Sequence, residues 1–120
     1  MKVIKQASLD NGLEISFSDE SNRYFGDYYR ICVLVTISFA VDSLADDDLR
    51  RQAAAVYGER IKVAKRLVRM GVPSTDCESV RNALVDDFMR HAAGYLSRSD
   101  YPRLLVAAEL RMTRSRRFHV

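Results

Sequence analysis

A chain of 120 residues with 48% hydrophobic and 29% charged residues reads as one globular domain rather than a disordered or fibrous segment. Its two cysteines, Cys32 and Cys77, exclude a disulfide framework and lack the paired spacing of a zinc or redox site. No apolar run follows the N-terminal lysines, and the longest mainly apolar stretch, Ile31–Val41, is too short for a membrane-spanning helix, so a reduced, cytoplasmic protein without membrane contact is expected.

The net charge of +3 hides an imbalance. Residues 1–48 hold four bases and nine acids, whereas residues 49–120 hold fifteen bases and seven acids. Such polarity can attract an anionic partner, or it can bind the two halves of one chain or two subunits to each other.

In chain order, Val3–Leu9 alternates weakly, and Asp10-Asn11-Gly12 is a hairpin signal because Asn and Gly accept a positive φ. Leu13, Ile15 and Phe17 then alternate with Glu14, Ser16 and Ser18, which predicts a half-buried strand. After a polar loop, Tyr29, Ile31, Val33, Val35, Ile37, Phe39 and Val41 mark one face of a long strand. Its second face, with Cys32 and Leu34 at the centre, is less polar than a solvated face needs to be. That mixture predicts completion by a second copy of the chain.

A first helix is predicted from the Ser43/Asp46 start, through Leu49, Ala53, Val56, Tyr57, Ile61, Ala64, Leu67 and Val68, to a stop at Gly71-Val72-Pro73. A second opens at Thr75 and carries Val80, Leu84, Phe88, Ala92 and Tyr95 on one stripe. The segment 102–113 fits a third helix by propensity, although Leu104, Val106, Ala108, Leu110 and Met112 also alternate as a strand would. Residues 114–120 read as a basic, mobile tail. The expected fold is α+β, a three-stranded antiparallel meander followed by two or three helices on one sheet face, with residues 1–113 as a single domain.

The chemistry-bearing residues are sparse. None of the common nucleophile, metalloprotease or phosphate-loop motifs is present, and the five glycines are scattered. Asp87 and His91 sit one helical turn apart, which predicts an exposed ion pair rather than a metal site shared with the distant Cys77. Asp76 and Glu78 oppose any activation of Cys77 as a thiolate. No catalytic residue, metal ligand or cofactor is therefore assigned.

The aromatic patch around Tyr24, Phe25 and Tyr28 can stack bases or pack a protein partner. The simpler expectation is that Phe25 and Tyr29 enter the core while Gly26 and Asp27 turn the chain. With Arg30, Cys32 and Leu34, the patch forms a candidate interaction surface. A candidate polyanion surface comprises Arg51, Lys62, Lys65, Arg66 and Arg69 on the first helix, with Arg111, Arg114, Arg116 and Arg117 near the end.

Asn11-Gly12-Leu13-Glu14-Ile15-Ser16-Phe17, followed by Arg23-Tyr24-Phe25-Gly26-Asp27-Tyr28, resembles the N-terminal part of small bacterial proteins of deltaproteobacterial type. The likeness covers about the first third of the chain, and that group supplies no activity or residue role. The reading is a non-enzymatic interaction or structural module that self-associates through its sheet. Nucleic-acid or polyanion binding is the alternative, ahead of an enzyme without a recognisable motif.

Overall fold

Alternating β-branched and aromatic side chains favour an extended chain whose two faces differ, and the longest such run sets the frame. The computed structural model describes the backbone of residues 2–118 and the side chains of residues 2–112. It contains the strands β1 (Lys2–Ser8), β2 (Glu14–Asp19), β3 (Asn22–Phe25), β4 (Tyr28–Ala40) and β5 (Arg60–Pro73). The helices are α1 (Asp47–Tyr57), α2 (Cys77–Leu96) and α3 (Tyr101–Phe118). The α+β class and the antiparallel sheet agree with the sequence reading, but among the described residues the sheet has five strands rather than three.

β4 is the central member. Along one edge it pairs with β2, from Glu14 opposite Ser38 to Asp19 opposite Val33, and then with the short β3. β1 extends the sheet beyond β2. The opposite edge of β4 pairs with β5, from Tyr28 opposite Pro73 to Ala40 opposite Arg60.

β5 corrects the largest sequence expectation, a helix that runs on from residue 60 to its stop at Gly71-Val72-Pro73. Asp46, not Ser43, caps that helix, accepting the Leu49 N–H at 3.0 Å. The helix ends at Gly58, whose φ of 77° is open to glycine and costly for other residues. Beyond it Ile61, Val63 and Leu67 share one strand face as readily as a helical stripe. Tertiary context decides between the two, because β5 pairs the backbone groups of an edge of β4 that would otherwise lack partners. Gly71, expected as the helix cap, lies instead at an irregularity where β5 slips register against Tyr29 and Ile31. α2 begins at Cys77 after a short turn over Ser74–Asp76, slightly later than the predicted start at Thr75.

All three helices cover the face of the sheet that carries the odd-numbered residues of β4. Under α2 lie Ile15, Phe17, Ile31, Val33 and Val35, packed against Leu84, Val85, Ala92 and Leu96. Phe17 meets Phe88 edge-on at 5.8 Å between ring centroids. Under α1 and α3 lie Leu13, Phe39, Val41 and Ile61, with Ala53, Val106 and Leu110. Leu9, Ile37 and Tyr101 pack against both clusters and make the core continuous.

One side chain fastens the first hairpin to the helical layer. Asn11 Nδ2 donates to the carbonyls of Leu96 at 2.6 Å and Arg98 at 2.8 Å, while its Oδ1 accepts from Leu13 N–H at 3.2 Å. The turn residue predicted for its backbone freedom thus also satisfies carbonyls at the end of α2.

Candidate interaction surfaces

With every helix on one side, strand alternation leaves a second face open. It carries Glu14, Ser16 and Ser18 from β2, with Arg30, Cys32, Leu34, Thr36 and Ser38 from β4. β5 adds Lys62, Ala64, Arg66 and Val68. The centre of this face is closed within the chain. Arg66 Nε lies 3.3 Å from Glu20 Oε1, so an ion pair reaches from β5 across β4 to the end of β2. Beneath it Cys32 is 0% exposed. Ser21 continues the β2 edge, its hydroxyl accepting from Cys32 N–H at 3.0 Å. Nearer the other end Arg60 reaches Glu14 at 3.2 Å and the Ser38 hydroxyl at 3.3 Å.

The β3–β4 end of the face has the opposite character. Tyr24 is 62%, Phe25 76% and Tyr28 50% exposed. Phe25 stands opposite Tyr28, and the register slips between Arg23 and Phe25. Gly26 and Asp27 make the tight turn, with Gly26 at φ 55°, as expected. That pairing puts Phe25 on the open face beside Tyr28, which corrects the expectation of a core phenylalanine. Tyr29, on the other face, does pack against the core. Tyr24, Phe25, Tyr28 and Gly71 border a shallow depression of about 590 Å³.

Of the candidate interaction residues, therefore, Tyr24, Phe25 and Tyr28 are presented to solvent and Arg30 and Leu34 are half-buried. Cys32 belongs to the floor.

The candidate polyanion residues do not share a helix. Arg51 is on α1 and pairs with Asp48. Lys62 and Arg66 lie on the open face of β5, whereas Lys65 and Arg69 lie on its helix-side face. Arg111 is exposed on α3, and the side chains of Arg114, Arg116 and Arg117 lie outside the described residues. Of the segment expected as a mobile tail, the backbone of residues 114–118 continues α3, and residues 119–120 lie outside the described residues.

The isolated titratable groups are tied into structure. Asp87 pairs with Arg90 at 3.0 Å, and His91 Nδ1 instead approaches the Asp87 carbonyl at 2.7 Å, so the expected Asp87–His91 ion pair does not form. The Cys77 thiol points to the Pro73 carbonyl at 3.5 Å. Asp19 joins β2 to α2 through Arg81 at 3.2 Å. Burial acts to raise its pKa, but hydrogen bonds from Ser21 and Arg81, and the guanidinium charge, outweigh that and hold it below the ordinary carboxylate value. Tyr101 is pushed up by burial first, then by Tyr95, whose ring lies 5.7 Å away, and by Glu109. Among the described residues no three His, Cys, Asp or Glu side chains converge as metal ligands would.

No helix of the described residues is long and apolar enough to cross a membrane. No protein-family model matches the sequence, and neither a curated protein nor a solved structure matches it.

Proposed function

We propose that the protein is a non-enzymatic interaction module of a reduced, cytoplasmic setting that pairs with a second copy of itself through the open sheet face. The observation that carries this reading is the cluster of Tyr24, Phe25 and Tyr28, all at least half exposed at one end of that face. Large apolar side chains gathered in this way are a feature of association surfaces.

Two further features support a copy as the partner. Two bases of the open face are matched within the chain, Arg66 with Glu20 and Arg60 with Glu14, which leaves Arg30 and Lys62 as its remaining bases and limits the repulsion between two such faces. The face also has the right size. Strand spacings give its five strands on the order of 700 Å², close to the roughly 800 Å² per partner of a stable interface.

Nucleic acid finds weaker support as a ligand, because the bases of β5 divide between two faces and Arg51 and Arg66 already have carboxylate partners. Light scattering at micromolar concentration, at low and high salt, tests the reading. A dimer indifferent to salt and reduced to a monomer by Phe25→Asp is the expected result. A monomer under all conditions contradicts it.

A further inference from the structure

β5 has a second side that the open-face reading does not use. It pairs only with β4 among the described strands, so its outer edge offers a row of backbone N–H and C=O groups. Beside that edge runs α2, in the opposite direction. A groove of about 520 Å³ lies between Lys65–Arg69 and the α2 residues Leu84, Phe88 and Tyr95, and a smaller one of about 260 Å³ continues it past Val72 and Val80. Residues 65–72 span on the order of 25 Å in extended form, enough to seat a strand of about seven residues.

We propose that this groove binds an acidic, extended peptide segment as a sixth strand on β5. An incoming strand gains the free backbone groups of the edge, and α2 supplies the wall for alternate side chains. On the groove face the order along β5 is Lys65, Leu67, Arg69. The matching peptide therefore carries an acid, an apolar residue and an acid at alternate positions, the apolar one seated towards Phe88 and Leu84. Lys65 and Arg69 have no carboxylate partner among the described residues, and the nearby Asp87 is occupied by Arg90.

Charge also argues against a second copy at this edge. Residues 60–73 contain Arg60, Lys62, Lys65, Arg66 and Arg69 and no acid, so pairing β5 with another β5 sets like charges against each other.

Panning a displayed library of randomised nonapeptides against the immobilised full chain tests the proposal. Enrichment of acids alternating with Val, Ile or Phe is expected. The leading synthetic peptide should lose at least about tenfold in affinity when alternate backbone amides are N-methylated. It should lose as much against the exposed-site double variant Lys65→Glu, Arg69→Glu, with circular dichroism confirming that the variant is folded. No enrichment, or enrichment of basic sequences, overturns the proposal. Equal binding of the N-methylated peptide, of polyglutamate or of a DNA oligonucleotide also overturns it, because the edge would then be a plain polyanion surface. A dimer that the peptide dissociates overturns it as well, by placing a second copy on β5.

Discussion

Phe17 and Phe25 are the same residue on two strands that both pair with β4, yet one is 0% and the other 76% exposed. Phe17 faces α2 and meets Phe88, so its ring contributes to holding the sheet and the helices together. Phe25 faces the open side, where no helix arrives, and its apolar surface remains in water. The contrast separates two uses of hydrophobic area, one consumed in folding and one left for association.

Truncating each ring gives the widest separation. Phe17→Ala should cost about 3–5 kcal/mol in denaturant unfolding, from lost burial and an unfilled cavity. Phe25→Ala, at the exposed end of β3, should stay within about 0.5 kcal/mol of the parent in a dilute sample. A comparable loss at both sites would erase the distinction between the faces.

Asn11→Ala is expected to cost roughly 1–3 kcal/mol, since it leaves the Leu96 and Arg98 carbonyls without their donor at the joint between hairpin and helices. Thermal unfolding measures it, and an unchanged Tm would mean that water replaces the amide at no cost.

A smaller effect should appear at acid pH. The carboxyl of Asp19 titrates lower in the folded chain than in the unfolded one. Its stabilisation is therefore complete above the unfolded value of about 4 and is lost as pH falls through the depressed folded value. Tm measured down that range should fall less steeply for Asp19→Asn than for the parent. Identical slopes would show that the Arg81 contact has no energetic weight.

How far the sequence revealed these regions follows from how many constraints bear on each residue. β2 and β4 were legible because one face is buried by helices and the other is not, which writes a period of two into Leu13–Phe17 and Tyr29–Val41. α2 was legible from the stripe Leu84, Phe88 and Ala92. β5 was not, because an edge strand with one outer side places lysine and arginine even on its covered face, at Lys65 and Arg69, and so blurs the alternation. The remaining matches fit a helix equally well. Gly58 carried the available signal, a helix stop followed by Ile61 and Val63. The exposure of Phe25 was hidden for a different reason, since it depends on the register of β3 against β4.

The proposed groove depends on β5 being an edge strand, and the open face draws its Arg60 and Arg66 pairs from the same strand. Amide hydrogen exchange resolved by residue over Arg60–Pro73 tests that strand most directly. Pairing on one side only predicts alternation, with the amides directed at β4 protected and those between them exchanging fast. Continuous protection with helical chemical shifts from Leu49 to Val68 would contradict the account, since the far edge of β4 would then be bare, the groove would not exist and the open face would lose its β5 half.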